Sequence, residues 1–394
     1  MNSFLQTDDH SSGELSRRIL IFRVGHLGDT VIALPALWAI KRKFPRAHIA
    51  LLSNLYTEAE RIGPGNLIPR AGLIDEWITY PSNDERSGIV NMARLLATLR
   101  QKRFDTLVYL APRIRSSRDI RRDHLFFRLA GIRKLIADRG FDPMPQRTNG
   151  HPLQSVEHEA DHLLHRLSLS GVSIPSRGET KMDLALTEGE SREANVWLSD
   201  NVPLFGSGPL VGFGPGSKWQ SKVWPEERFV EAGNRLIQKH SIYPIVFGGA
   251  EDRTLGERLI WAWGRGANAA GELPVRQAAA ALAQCRFYVG NDTGTMHIAA
   301  AVETPCVAIM SALDWPGHWN PYGAGHTVLR RSVPCEGCLL KVCERERMRC
   351  LKEITVEDVV NACERMLSAK SEGVRAKREG ERAEVNCSSL ALST

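Results

Sequence analysis

The stretch Ile19-Leu20-Ile21-Phe22-Arg23-Val24-Gly25-His26-Leu27-Gly28-Asp29, followed as far as Leu52, decides the fold. Ile19 to Val24 is short, apolar and rich in branched side chains, which reads as a buried strand. Gly25 to Asp29 turns the chain. Thr30 to Lys43 then carries Val31, Leu34, Ala36, Leu37 and Ile40 on a helical period, with Pro35 near the first turn, where a missing N–H is tolerated. His48 to Leu52 is the next strand. Strand, loop, helix and strand in this order make a βαβ unit, and such units build parallel sheets.

Outward from this unit, Thr106 to Leu110 reads as a further strand of the same sheet. Residues 186–209 read as one helix and a Gly/Pro-rich linker. The pattern restarts at Leu210 with strands at 210–213, 243–247, 287–289 and 305–309, separated by helices at 225–239, 251–264 and from 295. Two α/β units therefore stand in tandem. The expected division is a disordered leader over 1–17, one domain over 18–190, a second over 191–354, a terminal helix over 355–368 opened by Thr355 and Asp358, and a disordered tail over 369–394.

Composition narrows the class. The chain has 394 residues, with 51 Lys+Arg against 45 Asp+Glu, a net +6. Hydrophobic residues make up 43% and charged residues 24%, enough apolar material for large cores, which excludes global disorder. No apolar run reaches the roughly 18 residues a membrane-spanning helix needs. Met1 to Arg18 lacks the apolar stretch of a signal peptide, so the expected location is the cytoplasm.

Ligands of open α/β sheets bind at the carboxyl ends of the strands. Three glycine-containing loops occupy such ends: Gly25–Asp29, Gly214–Ser217 and Gly290–Gly294. Each precedes a helix, whose free N–H groups and partial positive charge suit phosphate. None matches the Walker A pattern, and Gly25-His26-Leu27-Gly28 is not GxGxxG, so a P-loop NTPase and a standard nicotinamide site are both disfavoured.

Arg23-Val24-Gly25-His26-Leu27-Gly28-Asp29 with Leu34-Pro35-Ala36-Leu37 resembles the opening of the family 9 glycosyltransferases, the heptosyltransferases of lipopolysaccharide core assembly. Gly214-Pro215-Gly216-Ser217 with Lys222-Val223-Trp224-Pro225-Glu226-Glu227-Arg228-Phe229, then Gly248-Gly249-Ala250-Glu251, resemble the second and third signatures of that family. The match is strongest over Val289-Gly290-Asn291-Asp292-Thr293-Gly294-Thr295-Met296-His297-Ile298. The spacing of Cys335, Cys338, Cys343 and Cys350 is similar to that of the heptosyltransferase II type. The resemblance spans residues 18–368 in order; residues 54–185 carry no matching motif. It implies a GT-B fold, two Rossmann-like domains facing each other across a cleft, the first binding the acceptor and the second the nucleotide sugar. It further implies an inverting transfer of heptose from ADP-heptose to a lipopolysaccharide inner-core acceptor, without a cofactor or divalent metal.

Such chemistry needs a base for the acceptor proton and a cationic surrounding for the departing diphosphate. The resemblance makes Asp29 the general base, against a plain helix N-cap. Lys222 is placed to meet the diphosphate as a point charge, with Lys218 a lesser candidate. Gly216, Ser217, Thr293 and Gly294 offer N–H and O–H donors. Asp292, an anion like phosphate, is expected to accept from sugar hydroxyls or cap a helix; Glu251 is expected to accept from ribose or sugar, or to mark a helix start. His297 reads equally as a ligand contact or a core histidine. Residues 98–140 hold twelve basic and four acidic side chains, a local net of +8 that exceeds the whole chain's +6. That run reads either as a solvated face or, through Arg118, Arg121 and Arg122, as the seat of an anionic acceptor at the anionic inner-membrane surface; nothing in it supports nucleic acid. The four clustered cysteines read as reduced packing thiols, with a structural metal the lesser alternative. Another nucleotide-sugar donor or a protein acceptor is the alternative within the class, and a non-catalytic nucleotide- or metal-binding regulator the alternative outside it.

Overall fold

The computed structural model describes residues 17–55, 64–68, 72–81, 88–142, 144–147, 151–176, 179–203, 208–344 and 346–368; the expected leader, apart from Arg17, and the expected tail lie outside them. The opening strand, β1 (Arg18–Phe22), is flanked in parallel by β2 (His48–Leu55) and β4 (Thr106–Tyr109). With β3 (Glu76–Pro81) and β5 (Lys134–Ile136) they form a five-stranded sheet in the order β3-β2-β1-β4-β5. Side chains alternate along a strand, so Ile19 and Ile21 enter one core and Leu20 and Phe22 another. Both faces are apolar because helices cover both. Helices α1 (Leu27–Lys43) and α5 (Glu159–Ser168) lie on the first face, α3 (Gly88–Lys102) and α4 (Ser117–Leu129) on the second; a single turn of helix, α2 (Pro64–Leu67), follows β2.

The first helix begins at Leu27, three residues before the expected start. Pro35 is therefore interior and not in the first turn, and it withholds the N–H that would reach the carbonyl of Val31. The helix tolerates this because residues Thr30 to Leu37 are all buried against the sheet and the neighbouring helices.

The chain continues through α6 (Glu188–Asn201), which spans the expected domain boundary at residue 190 and packs on a helix of the second lobe. The second sheet is parallel and six-stranded, in the order β11-β10-β9-β6-β7-β8. Its members are β6 (Leu210–Gly214), β7 (Tyr243–Val246), β8 (Ala267–Asn268), β9 (Phe287–Asn291), β10 (Cys306–Met310) and β11 (Thr327–Arg330). Helices α7 (Glu226–His240) and α8 (Arg253–Trp263) cover one face together with the helix over 356–368, which lays Val359, Val360 and Cys363 against Val211, Phe213 and Val289. That helix opens with a capping box: the Thr355 N–H donates to Asp358 at 2.8 Å and the Asp358 N–H to Thr355 Oγ1 at 3.1 Å. Helices α9 (Val275–Ala283) and α10 (Gly294–Ala301) cover the other face, and a short α11 (Arg349–Lys352) precedes the last helix.

The lobes meet through α1 and α10, and one apolar core containing Val31 and Leu34 on one side and Met296 and Ala299 on the other runs through both. Two glycines set the approach. A Cβ on Gly28 would stand 2.9 Å from His297 Cδ2, and one on Gly294 would stand 3.0 Å from Leu27 Cδ2. A second junction is made by main chain: the Val156 N–H donates to the Pro316 carbonyl at 2.8 Å and the Glu159 N–H to that of His318 at 3.2 Å. A third is Arg276 of α9, buried, which pairs with Glu190 at 2.5 Å and donates to the carbonyls of Leu67 and Leu184 at 2.8 and 2.9 Å.

Candidate active site

Asp29 stands in the first turn of α1, at the carboxyl end of β1, with its side chain folded back over Gly25. Gly25 has φ +141°, and a Cβ there would lie 2.3 Å from Asp29 Cγ, so glycine is required on two counts. The carboxylate accepts the His26 N–H at Oδ2, 2.8 Å away, which makes Asp29 a reciprocal cap from within the helix and not the N-cap itself. Arg23 donates through Nε and Nη2 to the Asp29 carbonyl at 3.2 and 3.0 Å, and its Nη2 lies 3.4 Å from Oδ1. The Asp29 side chain keeps about a fifth of its surface open, so a hydroxyl can reach it.

Across the junction, the β9–α10 turn gathers most of the expected donor residues. Lys222 Nζ is 2.6 Å from Asp292 Oδ2, in a pair that is largely shielded from solvent. Asp292 neither caps α10, whose N-cap residue is Thr293, nor lies open; it holds Lys222. His297 lies 3.9 Å from Asp292 and beneath Gly28. Its Nδ1 is buried with no hydrogen-bond partner among the described residues, and burial, then the charges of His158 and Lys222, pull its pKa down to about 3. His297 is thus a neutral imidazole at pH 7. Thr293 Oγ1 and Thr295 Oγ1 are 2.8 Å apart, and Gly294 opens the helix with free N–H groups beside them.

The Gly214–Ser217 loop is braced by two residues that sequence reading left out of the site. Asn291, fully buried, accepts the Trp224 N–H at 3.1 Å and donates to the Pro215 carbonyl at 2.6 Å, fastening that loop and the Lys222 segment to the end of β9. Asp252, rather than Glu251, is pressed under the loop: a Cβ on Gly216 would stand 1.9 Å from its Oδ1, and its Oδ2 accepts the Gly249 N–H at 3.0 Å. Burial pushes the Asp252 carboxyl up. Glu251 is exposed and 3.8 Å from Lys218, so the lesser lysine is held to an acid at the rim.

On the first lobe, Arg118, Arg121 and Arg122 lie exposed on α4. Arg122 is paired with Asp119 at 3.1 Å and Asp123 at 3.2 Å, while Arg118 and Arg121 have no ion pair among the described residues. Two further arginines stand in the loop that leaves β4, whose neighbour in the sheet is β1. Arg113 Nη1 and Arg115 Nε are buried with no partner among the described residues, although Arg115 also pairs with Asp123. In the sequence they are part of the basic run without distinction; the β1–β4 pairing sets their loop at the carboxyl end of the strand next to β1. Cys335, Cys338, Cys343 and Cys350 are free and half-buried, and among the described residues no group of three or more acids, histidines or cysteines is arranged to hold a metal ion.

The chain is similar to known proteins in sequence and in fold. Residues 165–349 match the family described as Glycosyltransferase family 9 (heptosyltransferase). The chain is 26% identical over 307 residues to Lipopolysaccharide heptosyltransferase 2 of Salmonella typhimurium, covering 74% of this chain and 82% of that one. It is 24% identical to Lipopolysaccharide heptosyltransferase 1 of Pseudomonas aeruginosa over 89% of this chain and 98% of that one. Among solved structures, a family 9 glycosyl transferase from Veillonella parvula superposes with a TM-score of 0.67 at 21% identity, covering 90% of this chain and 99% of that one. The E. coli ADP-heptose lps heptosyltransferase II superposes at 0.62 and 22%, with the same coverage. The two parallel-sheet lobes are those of the GT-B fold. Residues 165–349, just under half of the chain, therefore match a glycosyltransferase family 9 (heptosyltransferase) domain.

Proposed function

We propose that the protein transfers heptose from ADP-heptose to a lipopolysaccharide inner-core acceptor with inversion, using Asp29 as the general base. What carries the reading is the direct approach of α1 and α10, Gly28 against His297, which sets a partly open carboxylate opposite the Lys222–Asp292 pair. The base takes the proton of the acceptor hydroxyl as its oxygen attacks the anomeric carbon from the face opposite the diphosphate. Lys222 exchanges its bond to Asp292 for the diphosphate, whose growing negative charge it neutralises together with the N–H groups at the start of α10. Asp292, relieved of Lys222, accepts from a sugar hydroxyl. Gly216, Ser217 and Glu251 complete the donor side, and Thr293 and His297 supply polar contacts to the sugar nucleotide. Names of the relatives support the heptose and the lipopolysaccharide acceptor.

The acceptor side is assigned to Arg118, Arg121 and Arg122, joined by Arg113 and Arg115, whose charges suit a phosphorylated, carboxylated glycolipid. The same basic face supports peripheral association with an anionic inner-membrane surface from the cytoplasm; among the described residues no helix is long and apolar enough to cross a membrane. The domain limits proposed at 18–190 and 191–354 assign acceptor and donor to separate lobes.

The test is Asp29→Asn. Turnover with ADP-heptose and the acceptor falls by about 100-fold or more, while ADP affinity by calorimetry stays at the wild-type value. A single-turnover rate within about threefold of wild type would refute the base assignment.

A further inference from the structure

Behind Asp29 runs a buried chain of charges that alternates in sign and crosses from one lobe to the other. Arg23, 3% exposed at the end of β1, has its Nη1 3.5 Å from Glu159 Oε1, and Glu159 at the start of α5 is completely buried. The other Glu159 oxygen is 3.2 Å from His318 Nε2, and His318 Nδ1 is 3.1 Å from Asp314 Oδ1. His318 and Asp314 belong to the loop that follows β10, in the second lobe's sheet. Asp314 is itself fixed by the Trp315 N–H at 2.7 Å and the Trp319 indole N–H at 2.9 Å. The main-chain junction described above runs alongside, with His158 Nε2 2.9 Å from the Asn320 carbonyl, so the two loops are clamped where the charges meet.

The chain's effect is on Arg23. This guanidinium spends Nε and Nη2 on the Asp29 carbonyl and Nη1 on the Leu110 carbonyl and Glu159, and only the edge of Nη2 reaches the Asp29 carboxylate, at the longer distance of 3.4 Å. Glu159 therefore supplies the counter-charge that Asp29 would otherwise have to supply, and leaves the base's oxygens available to an acceptor hydroxyl. Apolar residues of the same volume would fill this junction at no loss of stability, since buried ion pairs seldom outdo them. A stabilising role alone does not call for four charges in a row ending at the base.

We propose that Glu159 is a positioning residue for glycosyl transfer, held by His318 and Asp314 of the opposite lobe so that Arg23 fixes the Asp29 main chain without capturing its carboxylate. Directions of titration agree: burial raises the Glu159 carboxyl, but its bond to His318 and the charges of Arg23 and His318 overcome this and lower it, and both acids hold His318 protonated against the pull of burial. The inference rests on Asp29 being the base.

The test uses the full chain with ADP-heptose and acceptor. Glu159→Gln keeps the shape and removes the charge. It lowers kcat by about tenfold or more while both KM values and the calorimetric ADP Kd stay within about twofold. His318→Gln moves the same parameter in the same direction, and the double variant is no slower than Glu159→Gln, because both act through one guanidinium. In an Asp29→Asn background, Glu159→Gln changes the residual rate by less than about twofold. A merely structural role would instead lower the folded, ADP-binding fraction and leave kcat per bound site unchanged. Wild-type kcat in Glu159→Gln, with Asp29→Asn inactive, overturns the positioning role alone; an active Asp29→Asn overturns the base assignment first. Should Glu159→Gln not fold, His318→Gln decides: reduced kcat at unchanged ADP affinity supports the proposal, and wild-type kcat ends it.

Discussion

Replacing Lys222 by methionine keeps an unbranched apolar side chain and removes the charge, which stands 5.4 Å from the centroid of the Trp219 ring. That charge is 2.6 Å from Asp292, whose side chain is 6% exposed. A charge-assisted bond of this kind contributes about 1.5–3 kcal/mol. On the proposed exchange, the same contact is transferred to the diphosphate, so Lys222→Met weakens ADP binding by about 10- to 150-fold. It also leaves Asp292 buried without its partner, at about 1–3 kcal/mol of stability. Asp292→Asn separates the two roles. It removes a carboxylate that competes with phosphate for Lys222, so ADP binds no more weakly than to wild type, while turnover of ADP-heptose falls because the sugar hydroxyl loses its acceptor. Calorimetric titration with ADP, with thermal denaturation as the control for folding, reads both. Unchanged ADP affinity in a folded Lys222→Met protein would falsify the exchange. So would an Asp292→Asn protein that loses ADP as severely as Lys222→Met, since Asp292 would then be building the phosphate site and not competing for its lysine.

Other outcomes follow from the same geometry. Gly25→Ala puts a methyl 2.3 Å from Asp29 Cγ at φ +141°, which displaces the base: kcat drops, stability falls by about 1–3 kcal/mol, and ADP affinity, measured on the other lobe, holds. Charge reversal at Arg118, Arg121 and Arg122 raises the acceptor KM and abolishes salt-sensitive sedimentation with anionic vesicles, leaving the donor KM in place; vesicle and acceptor binding equal to wild type would return these residues to the solvated surface. His318 is lifted from 6.5 to about 9, because its bonds to Asp314 and Glu159 outweigh burial. The folded protein therefore holds more protons than the unfolded one between those values. Its contribution is complete below pH 6.5 and is lost as pH rises through about 9, with a limiting slope of about 1.4 kcal/mol per pH unit. Chemical denaturation across that window detects the slope, and His318→Gln removes it.

Which strands the sequence revealed follows from where they sit. The seven read from apolar runs, such as Ile19 to Val24 and Pro305 to Ile309, are the interior strands of the two sheets, covered by helices on both faces and hence apolar throughout. The four that gave no such signal, β3, β5, β8 and β11, are the four edges. Lys134-Leu135-Ile136 is three residues long, β8 is two, and Thr327 to Arg330 is half-buried along its whole length. An edge strand pairs on one side only and needs few apolar side chains, so its periodicity is too short and too mixed to separate from a loop. The same reasoning explains α1. Its residues Thr30 to Leu37 are buried all round, so there was no polar face to locate its start, and Pro35 suggested a first turn that the helix had already passed.

The site divides along a similar line. Asp29, Lys222, Asp292 and His297 stand out in the sequence because each lies in or within a few residues of a glycine-containing loop at a strand end, Asp29 and His297 in the first turn of the helix that follows and Lys222 in the single turn after Gly214–Ser217. Arg23, Glu159, Asn291 and Asp252 carry comparable structural weight and sit in no such turn or were overshadowed by a neighbour in it. Glu159 is the sharpest case. Its local sequence, Glu157-His158-Glu159-Ala160-Asp161, is what an exposed helix start looks like, since acids there complement the helix dipole. Full burial of one of the three acids follows only from the partners that the fold brings to it, Arg23 from 136 residues before and His318 from 159 residues after. A buried acid between two cations therefore has a reason that local sequence cannot contain, and the reason lies at the junction of lobes. Residues proposed to bind a ligand are announced by the glycine-containing loops beside them. Residues that hold those in place are announced only by the counter-charges the tertiary structure supplies, and Glu159 with His318 is where this chain puts that difference to the test.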